Sequence, residues 1–225
     1  MILIDVIKLS EQRCKYALKA ELKYATSDNI VGRCINGYHE QAVDFALLTP
    51  LAAERLCEVQ DYLITKYNYG LLIYDAYRPK RAVLDFLDWA LQEANNTDQQ
   101  KRPTYYPKLR KDQLFPLGYF AEDSGHCYGN TVDLVLFDFA SNQTVDMGAC
   151  FDHMDEISSV AADVSIIGDY AHKHRNILTE AMVEFDFESY HQEFWHFSHG
   201  GFEGREVVDP LDIPITPDLK GAGIR

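Results

Sequence analysis

Apolar positions recur along the chain with two periods. Over residues 49–70, Leu51, Leu56, Val59, Leu63 and Ile64 fall roughly on one face of a helix. The ends agree with that reading: Thr49 can cap, Pro50 suits the first helical position and Gly70 can close the last turn. Residues 80–94 repeat the pattern with Val83, Phe86, Leu87, Ala90 and Leu91, and 169–184 with Ile177, Leu178, Ala181 and Met182. Strands are expected elsewhere. LLIYDAY (71–77) is short, apolar and aromatic, and Pro79 stops it. TVDLVLFDF (131–139) alternates in part, and ESYHQEFWHFSH (188–199) is aromatic and β-like. Residues 1–9 read as a short strand or an irregular lead-in. Connections fill the rest: a polar loop over 22–37, a long polar surface excursion over 95–113, and a proline-bearing tail over 209–225. Helices and short strands do not alternate regularly, so the expected class is α+β.

Composition narrows the partners. A length of 225 residues suits one domain with a sizeable core, or two small ones. Against 35 acidic residues stand only 21 basic ones, a formal charge of −14. No basic footprint for a nucleic acid is visible, and an anionic membrane surface is disfavoured for the same reason. The five cysteines are odd in number and none is spaced CxxC, which argues against a disulfide framework or a thiolate zinc site. Reduced thiols in a cytoplasm are the simpler reading. Asp5, Lys8 and Glu11 interrupt the apolar residues of the first segment, so neither a signal peptide nor a membrane span is expected there. The expected location is cytoplasmic, or periplasmic if a leader has been removed.

Chemistry gathers in SGHCYGNTVD (124–133). His126 sits in a glycine-flanked loop and Asp133 at the start of a strand. A catalytic zinc usually has three protein ligands and one open position, and these two residues can supply two of them. Gly125 and Gly129 permit backbone geometries that a side chain forbids. The competing reading is a turn into a core strand. HQEFWHFSH (191–199) offers Glu193, His196 and His199. In an E-x-x-H arrangement the histidine binds metal and the glutamate takes a proton from water. Positions 193 and 196 face opposite sides of a regular strand, so either Glu193 precedes the strand or a bulge re-aims one of them. His199 competes with His196, whereas His39, His153, His172, His174 and His191 are less suited. Arg78 ends YDAYR before Pro79, where a guanidinium can reach into a cleft toward an oxyanion or a carboxylate. The alternative is a surface pair with Asp75 or Asp85.

Taken in order, these segments resemble the zinc D-alanyl-D-alanine peptidases. SGHCYGNTVD is similar to that family's S-x-H-x-x-G-x-x-x-D motif, and EFWH to its E-x-W-H motif. YDAYRPKRAV, KYATSDNIVG and MGACFD (147–152) resemble the vancomycin-resistance-type dipeptidases in particular. The order and spacing hold over roughly residues 20 to 198. The resemblance implies one α+β domain over 1–205, with a small, mainly antiparallel sheet flanked by helices, then an irregular tail over 206–225. It implies one zinc per chain in a cleft, held by His126, Asp133 and His196. Glu193 would be general base and then acid, and Arg78 would stabilise the tetrahedral intermediate. Asp152 would face the substrate ammonium, with Tyr24 and Ser124 as further substrate contacts. The implied reaction is hydrolysis of D-Ala-D-Ala to two D-alanines. Its nearest alternatives are a D,D- or L,D-carboxypeptidase acting on peptidoglycan stem peptides and a non-catalytic zinc-binding relative. The implied partner is a small dipeptide, and a homodimer is left open. Phe194 stands where the family often has tryptophan.

Overall fold

A computed structural model describes residues 2–201 and 203–225, so Met1 of the first segment lies outside it. The chain starts with more order than a lead-in. Strand β1 (Ile4–Asp5) runs directly into helix α1 (Val6–Arg13), because Asp5 caps the helix by accepting from the Ile7 and Lys8 N–H groups. Strands β2 (Lys19–Ala20) and β3 (Leu47–Leu48) follow, and β3 pairs antiparallel with β1. Helix α2 (Pro50–Tyr67) has Pro50 in its first turn as expected, but the Thr49 side chain makes no capping bond. Asn68, at φ 60°, closes the helix. Gly70 belongs instead to strand β4 (Tyr69–Asp75).

Helix α3 (Lys80–Leu91) matches the apolar periodicity. The segment read as a polar excursion contains helix α4 (Asn96–Tyr105). Its residues are polar, so no apolar stripe announces it. A capping box starts it, with Asn95 and Asp98 each accepting the other's backbone N–H. Asp98 is buried and also accepts from Trp89 Nε1 at 2.8 Å and Lys111 Nζ at 2.9 Å. Those charge-assisted bonds replace the missing apolar face.

Strand β5 (Thr131–Asp138) is followed by β6 (Gln143–Thr144). Helix α5 (Val164–Glu184) is broken at Gly168, whose φ of 82° and ψ of 156° are not helical. Strands β7 (Phe187–Tyr190) and β8 (Glu193–His199) complete the sheet. Among the described residues that sheet has the order β2-β4-β5-β8-β7, with β6 also on β5. β2 runs parallel to β4, and the other pairs are antiparallel. Helices α2 and α5 pack against the sheet and each other. The result is a single α+β domain with a mostly antiparallel sheet. No described helix is long and apolar enough to cross a membrane.

The tail has little regular structure, only a short 3-10 turn at Pro217–Leu219. It nonetheless packs back on the domain. Ile215 and Ile224 are buried, and Ile224 bridges to Leu3.

Candidate active site

Three neighbouring strands set one row of polar residues side by side. Asp133 on β5 pairs across to Asp75 on β4 and to His196 on β8. Cross-strand partners share a face, so the three side chains emerge together. Irregularities at both neighbours make this row. On β4 the register shifts between Ile73 and Asp75, so Tyr74 is the extra residue that turns Asp75 toward Asp133. On β8, Glu193 lies opposite Tyr190 while Phe197 lies opposite Ser189, so Phe194, Trp195 and His196 are extra. This bulge answers the objection that 193 and 196 belong to opposite faces. Glu193 Oε2 comes within 3.8 Å of His196 Nδ1.

His126 arrives from a 3-10 turn (Gly125–Tyr128) just before β5. Gly129 ends the turn with φ 74°, a conformation costly for other residues. Gly125 is needed for space rather than for backbone freedom: an added Cβ would meet Thr131 Oγ1 at 2.5 Å. His126 Nδ1 lies 2.7 Å from the Ala76 carbonyl, which can only accept. Nδ1 therefore carries the hydrogen, and the Nε2 lone pair faces the cluster.

The cluster has the dimensions of a metal site. His126 Nε2 is 3.3 Å from Asp133 Oδ2, His196 Nδ1 is 2.9 Å from Asp133 Oδ1, and the two ring nitrogens are 3.4 Å apart. A tetrahedron with metal–ligand bonds of about 2.0 Å has edges of roughly 3.3 Å. Two imidazole nitrogens and a carboxylate form a donor set that suits a divalent transition metal. All donor atoms lie within 4.8 Å of one another. Burial alone would raise the Asp133 pKa, but the two imidazoles against it, His126 and His196, outweigh burial and hold the carboxyl well below its usual range. Burial lowers His196, which favours the neutral ring a metal requires.

Glu193 is 6% exposed, and its Oε1 is buried with no hydrogen-bond partner among the described residues. Such an atom is costly unless an occupant of the site partners it. Burial, then the charges of Asp133 and Asp152, push Glu193 well above the carboxylate range.

Arg78 is buried, and so is its partner Asp75, so the pair is not the surface contact that the sequence left open. Nε and Nη2 both lie 2.8 Å from Asp75 Oδ2, and Nη2 is 3.4 Å from Asp133 Oδ2. The guanidinium carbon sits 4.9 Å from the Tyr24 ring centroid. Asp85 instead binds Arg33.

Asp152 approaches from a loop. It is 2% exposed, and its backbone takes the left-handed form at φ 62°. The Tyr24 hydroxyl donates to its two oxygens at 2.9 and 3.0 Å. Burial, with the charge of Asp133 adding, pushes Asp152 up to about 8. Ser124, at the cap of the His126 turn, lines the same cavity.

One cavity of about 220 Å³ is lined by all eight sequence-predicted site residues: His126, Asp133, His196, Glu193, Arg78, Asp152, Tyr24 and Ser124. It is smaller than the roughly 300–1,000 Å³ of drug-sized pockets. His199 is not part of the metal-type group, and its ring packs against Phe187 with centroids 5.2 Å apart. Sequence reasoning missed the aromatic wall formed by Tyr119, Phe120 and Tyr190. It also saw Asp75 only as a surface partner. The available signal was an aspartate closing the apolar run LLIYD.

Comparison with known proteins agrees with this geometry. A family model described as D-Ala-D-Ala dipeptidase matches residues 11–210. The D-alanyl-D-alanine dipeptidase of Enterococcus faecalis is 37% identical over 182 residues, covering 81% of this chain and 86% of the relative. That of Enterococcus faecium is 36% identical over the same shares of both chains. The Streptomyces coelicolor dipeptidase is 33% identical, covering 80% of this chain and 85% of the relative. With the family model spanning most of its length, this chain belongs to the D-Ala-D-Ala dipeptidase family of metallopeptidases.

Proposed function

We propose that the protein is a zinc dipeptidase that cleaves free D-alanyl-D-alanine into two D-alanines. His126, Asp133 and His196 would hold the zinc. When bound, the metal supplies Lewis acidity and brings the pKa of a water to about 7. The rest is the work of this chain's own side chains. Glu193 accepts a proton from the attacking water and returns it to the leaving amine. Its raised pKa suits a group that must take and give a proton near neutral pH. Arg78, fixed by Asp75, donates to the oxyanion that develops on the attacked carbonyl.

The observation that carries the substrate choice is Asp152. A buried carboxylate whose hydrogen-bond donor is a neutral phenol stands in the same small cavity as the His/Asp/His cluster. A substrate ammonium would supply the missing positive charge, with Tyr24 steering the carboxylate. A peptide with a blocked amino end would leave Asp152 buried and unpaired. Ser124 is a further polar contact for the dipeptide. The five cysteines are free, which suits a reducing cytoplasm.

The test is release of D-alanine from D-Ala-D-Ala, with metal content measured on the same sample. The expected result is about one zinc per chain and activity that chelator removes and zinc restores. Preference for an N-acylated substrate would replace this reading with a carboxypeptidase. A bound metal with no hydrolysis of either peptide would leave a non-catalytic relative.

A further inference from the structure

The tail just past residue 210, where the family match ends, touches both segments that carry site residues. Leu211 donates its N–H to the Cys127 carbonyl at 2.9 Å and accepts from the Lys80 N–H, also at 2.9 Å. One residue therefore bridges the loop of His126 and the segment of Arg78. Tyr77, beside Arg78 and 1% exposed, is locked to the same stretch. Its hydroxyl donates to the Ile213 carbonyl at 3.1 Å and accepts the Ile213 N–H at 2.8 Å.

Asp212, between them, faces the start of α3. The N-cap of α3 is Pro79, which makes no side-chain capping bond, and the first N–H groups of a helix lack partners within it. The tail supplies them. The Leu211 carbonyl takes the Lys80 N–H, and Asp212 Oδ1 takes the Arg81 N–H at 2.8 Å. Asp212 also grips the Arg81 guanidinium through both oxygens, at 2.9 and 3.0 Å. A carboxylate suits the positive end of the helix.

We propose that Leu211–Ile213 is a positioning strap that caps α3 from outside and fixes the backbone of Arg78 against that of His126. Hydrogen bonds close a ring. His126 leads to Cys127, Cys127 to Leu211, Leu211 to Lys80, and Arg78 returns its N–H to the His126 carbonyl at 3.2 Å. The Arg78 side chain is already held by Asp75, so the strap acts on the backbone that carries it. Its effect on turnover rests on the role proposed above for Arg78, whereas its effect on the His126 loop does not.

Deleting the tail would remove buried Ile215 and Ile224 and risks the fold. Asp212→Ala and Tyr77→Phe in the full chain are cleaner, because the Asp212 side chain is 44% exposed and Phe keeps the Tyr77 ring. Three quantities are read: kcat and KM for D-Ala-D-Ala, and the rate at which a chelator strips zinc. A misplacement of about 1 Å can cost on the order of 10²-fold in rate, so a partial loosening should lower kcat about tenfold with KM little changed. Zinc loss should quicken in both variants, and Asp212→Glu should restore much of each value. If melting temperature falls while kcat and zinc loss stay at wild-type values, the strap only stabilises and the proposal is overturned. Should the wild type release no D-alanine, the functional reading fails, and the zinc-loss rates still decide: faster loss in the variants supports the strap, equal loss overturns it.

Discussion

Two buried carboxylates of the cavity, Asp133 on the sheet and Asp152 on a loop, respond to burial in opposite ways. At the sheet end, Asp75 and Asp133 sit on adjacent strands and meet Arg78, His126 and His196. Asp133 is held well below the usual range by the histidines. At the loop end, Asp152 meets a phenol, and burial pushes it up to about 8. Both are almost wholly buried, so burial does not explain the difference. The lesson is that partners decide. The two imidazoles compensate Asp133, whereas burial still raises Asp75 despite Arg78, and Asp152 lacks a positive charge that an ammonium would bring.

The largest break should come at the sheet end. Glu193→Gln keeps the shape but removes the proton acceptor proposed above, and general-base loss typically costs about 10²–10⁴-fold. We expect a fall in kcat of roughly 10³-fold with zinc content unchanged. Arg78→Ala should lower kcat/KM by about 10²–10³-fold, as loss of an oxyanion donor does. It also leaves Asp75 buried without its guanidinium, with the Tyr38 hydroxyl donating to it and His126 Nδ1 at 3.5 Å, so denaturant unfolding should show a loss of about 3–5 kcal/mol.

A break at the loop end should be milder and selective. Asn tolerates the left-handed backbone of residue 152, so Asp152→Asn removes charge without new strain. KM for free D-Ala-D-Ala should rise by about 10²-fold while kcat changes less, as befits a contact made in ground and transition states alike.

The loop end can also be probed through stability against pH. In the metal-free protein Asp152 holds its proton up to about pH 8, whereas in the unfolded chain it releases it near 4. The stability so gained is full below about pH 4 and is lost as pH rises toward 8. Melting temperature should therefore decline more between about pH 5 and 8 in the wild type than in Asp152→Asn. Equal slopes would remove the contrast between the two ends.

Much of this was legible in the sequence where the cause was local. The apolar spacing gave α2, α3 and the regular part of α5, and the runs 71–77 and 131–139 gave β4 and β5. His126, Asp133, Glu193 and His196 stood in compact motifs whose resemblance to a family tied them together. Helices α1 and α4 escaped because caps hold their first turns, Asp5 in one and Asn95 with Asp98 in the other. Asp75 escaped because its direction is set by the bulge at Tyr74, which no spacing reveals. The Tyr24–Asp152 contact spans 128 positions, and only the resemblance pointed to those two residues. The tail was opaque because its bonds are mostly made by backbone groups, which carry no residue-type signature.

The most direct test of the two-ended cavity compares kcat/KM for free D-Ala-D-Ala and for its N-acetyl form, in the wild type and in Asp152→Asn. The account predicts a strong wild-type preference for the free dipeptide, by about 10²-fold or more, that collapses in Asp152→Asn. A wild type that cleaves both substrates equally well, or a preference that survives the substitution, would contradict it.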